Sequence, residues 1–321
     1  MDKCSVIFPG QSSQYVGMGS ELYHEYGFIK ELFENAEDIL GIPIKDICFE
    51  EGEYDLNNTL YTQVAVFLTN ISFYKVFRHE TGIYPVFMAG HSLGEYAALC
   101  CSGAIPFEDA LAIIKKRAHL MDICSKKIQG EMWSVNHFPV MQLENLIHQT
   151  NNTVTIACYN SVNQATVSGE CSEINKFIQE LKLENIAVTK LNVSGAFHNS
   201  LMAHAANMLY KELTQYPYKQ MHTQVISNVY ARPYLPYRTG AILAEQITNP
   251  VRWGATIQYF QQHGITHIFE LGPKETLKKM LRSEKGNMEV WSYDNPEDRR
   301  RILDFSTKES DKDVKSEEAV V

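Results

Sequence analysis

The chain has 321 residues, 45% of them hydrophobic and 21% charged, an ordinary globular composition with length for one large or two unequal domains. Its formal net charge of -9 argues against nucleic acid or an anionic membrane as the main partner, since both need a positive field, and no apolar run is long enough to span a bilayer. The opening MDKCSVIFPG lacks the apolar core of a signal peptide, and seven cysteines without CxxC spacing fit reduced thiols in the cytoplasm better than disulfides or zinc.

Along the chain, short β-rich runs alternate with amphipathic helical stretches. CSVIF reads as a strand; a glycine-rich turn, FPGQSSQYVGMG, follows, and then a helical stretch, GSELYHEYGFIKELFENAEDIL. VFMAG reads as a second strand that leads into the helical GEYAALCC and FEDALAIIKKRAHLMDIC, and later HIFEL precedes the helical KETLKKMLRS. This alternation predicts an α/β large domain with a mostly parallel sheet, hydrolase-like in setting a serine where strand passes to helix. Between about Lys127 and Ser194 the pattern becomes EMWSV, helix VMQLENLIHQT, VTIACYN, QATVSG, helix CSEINKFIQELKL and IAVTKL. Four strands and two helices in that order predict an inserted ferredoxin-like small domain. The expected domains are 1–126 with 195–293 as a discontinuous large domain and 127–194 as the insert. Residues 294–321, charged and poorly periodic, are expected to form a tail without order. The cleft between large domain and insert is the expected substrate site.

In AGHSLGEYAAL the glycines of GxSxG permit a sharp turn that lifts the Ser92 hydroxyl above the sheet, and the following helix N-terminus aims N–H groups at any oxyanion forming there. A serine hydroxyl needs a base, and eleven histidines are available. His24, His148 and His263 fall on polar helical faces and His91 can pack beside the elbow. His198, in NVSGAFHNSLM, follows a strand-like run at the start of a helix near Asn199, a geometry that presents a side chain to a cleft. Spacing alone leaves it a candidate, because satisfied or solvent-facing histidines are commoner. Arg117, in IIKKRAHLM, borders the apolar face formed by Leu111, Ile114, Ala118 and Met121. There it can snorkel, or offer its planar fork to a substrate carboxylate. The turn FPGQSSQYVGMG has neither the lysine of a P-loop nor GxGxxG spacing, so no nucleotide site is expected; its N–H groups can instead face the elbow.

With FPGQSSQYVGMG, YTQVAVFLTN, AGHSLGEYAAL, KKRAHLM, YNSVNQATVSG, SGAFHNSLM, ISNVYARP and EQITNPVRW in order, residues 4 to 292 resemble the malonyl-CoA:acyl carrier protein transacylase family. That family includes the free-standing acyltransferases that serve polyketide synthases in trans. The resemblance implies Ser92 as the acylated nucleophile, His198 as its base and acid, and the backbone N–H groups of Gln11 and Leu93 as oxyanion hole. It also implies Arg117 as the malonyl-carboxylate clamp and a carbonyl near Asn249 that orients the histidine. Malonyl would pass from malonyl-CoA to the phosphopantetheine thiol of an acyl carrier protein, in fatty-acid or polyketide synthesis, with no metal or redox cofactor. The chain is expected to act as a monomer.

Two departures bear on the acyl group. Ser12 stands where the family usually has glycine, and QGEMWSVNHF carries Trp133 where small residues are commoner. Trp133 could reshape the acyl pocket or pack into the insert core, the commoner fate of an aromatic. Phe197 in GAFH resembles the malonyl-selecting form of that motif and would close the pocket against a branched α-carbon. An unusual carrier-borne extender unit, a hydrolase using the same pair on carrier-bound acyl chains, and a non-catalytic carrier-binding module are the alternatives. Arg117 argues against a hydrolase of neutral chains, and the retention of Ser92, His198 and Arg117 together against a vestigial elbow. The carrier protein, being acidic, calls for local cations, with Lys115, Lys116 and Lys190 as candidates.

Overall fold

The computed structural model describes residues 2–52, 54–149 and 153–318. In chain order, strand β1 (Cys4–Phe8) is followed by helices α1 (Ser20–Glu25), α2 (Gly27–Leu40), α3 (Ile44–Phe49) and α4 (Thr59–Thr81). The single expected helix over GSELYHEYGFIKELFENAEDIL is therefore two, parted at Tyr26, whose backbone is extended. Helix α4 escapes an amphipathic search because it is buried all round, from Thr62 and Gln63 through Phe73 and Tyr74, and so has no polar face to give it a helical period. Its ends are legible: Asn58 accepts the N–H of Leu60 at 3.0 Å, and Gly82 takes a left-handed cap with φ 66.

Strand β2 (Phe87–Gly90) leads into α5 (Gly94–Cys101) and α6 (Phe107–Lys127). After the small unit come α9 (Ala203–Leu213), β7 (Gln224–Ile226), α10 (Thr239–Gln246), α11 (Trp253–Gln262), β8 (His267–Glu270), α12 (Thr276–Met280), β9 (Glu289–Ser292) and α13 (Pro296–Glu318). The five-stranded sheet has the order β7-β2-β1-β8-β9 with every pair parallel. Every residue of β1 is buried, as expected for a central strand covered on both faces. The fold is thus mixed α/β with a parallel main sheet. Strands β7 and β9, of three and four residues, complete its two edges.

Residues 130–190 build a second sheet. Strand β3 (Gly130–Asn136), α7 (Val140–His148), β4 (Thr155–Ser161), β5 (Gln164–Glu170), α8 (Cys171–Leu183) and β6 (Ala187–Lys190) form an antiparallel sheet of order β4-β5-β3-β6. Alternation divides its strands between two cores. Val135, Ile156 and Val167 join Ile174, Phe177 and Leu181 of α8 in a separate small core. Met132, Ala157 and Cys158 face the main core.

The expectation of an unordered tail from residue 294 is overturned through its first turns. Helix α13 starts at Pro296, and Ile302 and Phe305 are buried in the main core. Arg299 donates to Glu80 at 2.6 Å and to the Tyr26 hydroxyl at 3.2 Å, while Asp298 accepts the Ser292 N–H at 2.8 Å and Lys278 Nζ at 2.5 Å. A stripe of one residue per turn, set among arginines and acids, was too narrow to stand out in the sequence. Residues 319–321, the end of that expected tail, lie outside the described residues.

Candidate active site

Three backbone segments cross at the end of β2, and glycines make the crossing possible. A Cβ on Gly90 would lie 1.9 Å from the carbonyl carbon of Gly94, one on Gly94 2.1 Å from the Phe8 oxygen, and one on Gly10 2.4 Å from the His91 oxygen. Between them Ser92 takes φ 52, a left-handed conformation that costs an L-residue energy and is held by its surroundings. Asn228 supplies that hold: its Oδ1 accepts the Ser92 N–H at 2.8 Å and its Nδ2 donates to the Gly90 carbonyl at 2.6 Å.

His198 also has a positive φ, 56, and the next residue fixes it in place. Asn199 accepts the Leu201 N–H at 3.0 Å to start a 3-10 turn ahead of α9, and its Nδ2 reaches Thr155 Oγ1 at 2.9 Å and the Ser168 carbonyl at 3.1 Å on the small sheet. The imidazole is buried, with Nε2 2.8 Å from Ser92 Oγ and Nδ1 2.8 Å from the Gln246 carbonyl. A carbonyl only accepts, so Nδ1 carries the proton and Nε2 is the free acceptor for the serine hydroxyl. Burial, and then the Arg117 charge, push His198 down to about 3, against the two carbonyls. The ring is neutral at neutral pH and can take a proton.

The orienting carbonyl was expected from Asn249, and it is one of two that meet the ring. The Asn249 oxygen is the second partner, at 3.2 Å, and that of Gln246 is nearer. Gln246 ends α10, where the last-turn carbonyls have no helical donor and are free to accept a side chain. The Asn249–Arg252 segment is held against the small sheet through Val251, which donates to Ala157 O at 2.9 Å and accepts from Tyr159 N at 2.8 Å.

Arg117 lies inside the core rather than at its border, 1% exposed, because α6 is packed between α4 and α9. Its Nη1 donates to Gln63 Oε1 at 2.6 Å, and its Nη2 to Gln246 Oε1 at 3.3 Å and Ser92 Oγ at 3.4 Å. The guanidinium lies 5.3 Å from the Tyr96 ring centre. Nε has no hydrogen-bond partner, and among the described residues no carboxylate pairs with Arg117 at ion-pair distance. A buried, incompletely satisfied cation beside a nucleophile is a receptor for an anion.

Gln11 and Leu93 flank the same cavity, of about 230 Å³. Gln11 is tied through Nε2 to Thr59 Oγ1 at 3.2 Å, and Leu93 is the N-cap of α5. Among the described residues neither backbone N–H has a protein acceptor. Ser12, which also lines this cavity, takes φ 84 and is exposed. Met121, Met132 and Phe197 supply apolar wall, and Asn160 and Thr166 polar wall.

Trp133 does not line this cavity. Its neighbours Met132 and Ser134 do, and alternation along β3 turns Trp133 to the opposite face, where it packs beside the small core and donates Nε1–H to Glu131 at 3.0 Å. A role in acyl selection is excluded by that placement. None of the three candidate docking lysines lines this cavity. Lys115 and Lys116 line a groove with Leu40, Tyr61 and Val64, and Lys115 donates to the Leu40 carbonyl at 2.7 Å; Lys190 is paired with Glu131 at 2.6 Å.

Sequence reasoning missed Gln63, Glu95, Asn228 and Gln246. Each is a buried polar residue in a largely apolar stretch, which was the available signal: such a group persists only where it has partners.

Residues 6–289 match the family model of the acyl transferase domain. A polyketide biosynthesis malonyl CoA-acyl carrier protein transacylase of Bacillus subtilis is 37% identical over 287 residues, 88% of this chain and 98% of that protein. The crystal structure of malonyl CoA-acyl carrier protein transacylase from Clostridium perfringens superposes with a TM-score of 0.89 at 31% identity, covering 98% of this chain and 99% of that one. A malonyl-transacylase solved in complex with a type II polyketide synthase acyl-carrier protein superposes with a TM-score of 0.90 at 26% identity, covering 94% and 99%.

Proposed function

The chain belongs to the acyl transferase domain family, and from that premise we infer that it is a malonyl-CoA:acyl carrier protein transacylase of fatty-acid or polyketide biosynthesis. The observation that carries the reading is the 2.8 Å contact of Ser92 Oγ with His198 Nε2 beside the buried Arg117, a nucleophile, a base and an anion receptor in one cavity. Its relatives support both donor and acceptor: they are named for malonyl-CoA and acyl carrier protein, and one was solved with a carrier protein bound.

In the cycle we propose, the malonyl carboxylate lies against Arg117. His198 Nε2 takes the Ser92 proton as Oγ attacks the thioester carbonyl. Negative charge develops on the carbonyl oxygen, and the Gln11 and Leu93 N–H groups receive it. The carbon–sulfur bond then breaks, and the CoA sulfur leaves with the proton from His198. The phosphopantetheine thiol of the carrier protein repeats the sequence in reverse: its proton goes to His198, its sulfur attacks the malonyl ester, and the proton returns to Ser92. Every step balances without metal or redox cofactor. With carbonyls of Gln246 and Asn249 behind His198, the site works as a Ser–His dyad. Phe197 is the proposed acyl-selectivity residue.

The small unit is proposed to be ferredoxin-like, supported by its β-α-β-β-α-β order and antiparallel β4-β5-β3-β6 sheet. We place the enzyme in the cytoplasm as a monomer; no helix among the described residues is long and apolar enough to cross a membrane. The test is intact-protein mass spectrometry after brief mixing with malonyl-CoA, methylmalonyl-CoA and acetyl-CoA in competition, with Ser92→Ala as control. A malonyl adduct absent from the control and passed to added carrier protein is expected. Free malonate in place of carrier-bound malonyl would make the enzyme a hydrolase, and no adduct from any of the three would refute the CoA donor.

A further inference from the structure

Behind Ser92 lies a carboxylate that touches no reacting atom yet holds groups that do. Glu95 is fully buried. Its Oε1 accepts the Asn228 N–H at 2.7 Å and the Tyr234 hydroxyl at 2.8 Å, and its Oε2 accepts from Gln246 Nε2. Burial pushes its carboxyl up to about 7, while those three donors and Arg117 act the other way. Gln246 is the hub of the site. Its Nε2 also donates to the Ser92 carbonyl at 2.9 Å, its Oε1 accepts from Arg117 Nη2 at 3.3 Å, and its main-chain oxygen receives His198 Nδ1 at 2.8 Å.

The two ends of a glutamine amide have nearly the same shape, so packing does not choose between them; only hydrogen-bond partners do. We propose that Glu95 is a positioning residue that, by fixing the NH2 end of Gln246 toward itself, keeps the oxygen end on Arg117 and so holds the guanidinium in the orientation that receives the acyl carboxylate. The proposal rests on the transacylase reading. A glutamine at position 95 keeps the shape and inverts one contact. Its oxygen is retained by the Asn228 and Tyr234 donors, which leaves its NH2 facing the NH2 of Gln246. Relief comes by turning the Gln246 amide, which sets an NH2 against the Arg117 guanidinium and removes a donor from the Ser92 carbonyl. The main-chain oxygen of Gln246 does not move, so the Ser92–His198 pair stays armed.

The experiment compares wild type, Glu95→Gln and Tyr234→Phe in two reactions of Ser92: acylation by malonyl-CoA, and inactivation by phenylmethylsulfonyl fluoride, a neutral serine reagent. In Glu95→Gln, kcat/KM for malonyl acylation should fall roughly 10- to 100-fold, chiefly through KM, the range expected for one buried hydrogen bond turned to repulsion. Inactivation should change less than about threefold, since the dyad is intact. Tyr234→Phe removes a donor from the other carboxylate oxygen and should keep malonyl acylation near wild type. Unchanged malonyl acylation in Glu95→Gln, an equal loss in both reactions, or an equal loss in Tyr234→Phe would each overturn the proposal. A wild-type enzyme that reacts with the sulfonyl fluoride but takes no malonyl would refute the transacylase reading itself.

Discussion

Replacing Arg117 with alanine separates recognition of the acyl carboxylate from chemistry at the serine. The guanidinium is 1% exposed, makes hydrogen bonds to Gln63, Gln246 and Ser92, and leaves Nε without a partner. A malonyl carboxylate entering this cavity leaves water and recovers that loss only if the guanidinium meets it. Breaking a buried ion pair by removing one partner costs about 3–5 kcal/mol, or roughly two to three and a half orders of magnitude in kcat/KM for malonyl-CoA. Acetyl-CoA presents no carboxylate, and His198 is held by carbonyls and not by Arg117, so its acylation rate should change by about tenfold or less. Arg117→Lys should fall between, because an ammonium keeps the charge and loses the planar fork. The assay is single-turnover acylation of Ser92 followed by intact mass, with each donor alone and both in competition. Equal loss for malonyl and acetyl donors would refute the assignment and make Arg117 a structural residue.

Because the base is a buried neutral imidazole lowered to about 3, inactivation of Ser92 by the neutral sulfonyl fluoride should hold on acidification well below the ordinary histidine range, while malonyl acylation should already fall as Glu95, raised to about 7, takes a proton; an acid limb near pH 6.5 in the inactivation would contradict this. His91, lowered to about 4 by burial, and His198 both bind protons more readily in the unfolded chain. These two imidazoles therefore contribute most to stability above about pH 6.5 and less as pH drops toward their folded values, a contribution opposed between about pH 4.5 and 8 by Glu95 and Glu270, whose buried carboxyls are raised to about 7 and about 8; chemical denaturation of wild type and His91→Gln across that window would separate the histidine share. Phe197→Ala should shift the methylmalonyl-to-malonyl ratio by about 1–3 kcal/mol, measured by competitive acylation, whereas Trp133→Ala should leave that ratio unchanged because its ring is on the other face of β3. Ser12→Gly relieves an exposed left-handed residue and should raise stability by up to about 1 kcal/mol, read as a higher denaturation midpoint. Truncation after residue 295 removes Ile302, Phe305 and the Arg299–Glu80 pair and should lower that midpoint sharply; an unchanged midpoint would make α13 dispensable.

Much of this protein was legible in short windows, because the governing physics there is local. Alternating strand and helix patterns located β1, β2, β8 and all six elements of the small unit, and the glycine frame around Ser92 announced a sharp turn before any contact was known. The residues that demand neighbours from afar were harder. Helix α4 had no polar face to give it a period, and the stripe on α13 was too narrow to read among its charges. At the site, motifs nominated Ser92, His198 and Arg117, but their meeting joins residues 106 positions apart for the serine and histidine. Only the packed chain decides that the histidine answers first to Gln246 and second to Asn249, since which carbonyl is left free depends on where α10 ends. The same holds for Trp133, whose face is set by the register of β3, and for Gln246, whose amide is oriented by a carboxylate 151 residues away. Sequence carries the chemistry of each side chain and the local turn that presents it; partners, burial and the protonation states that follow exist only once distant segments share a core.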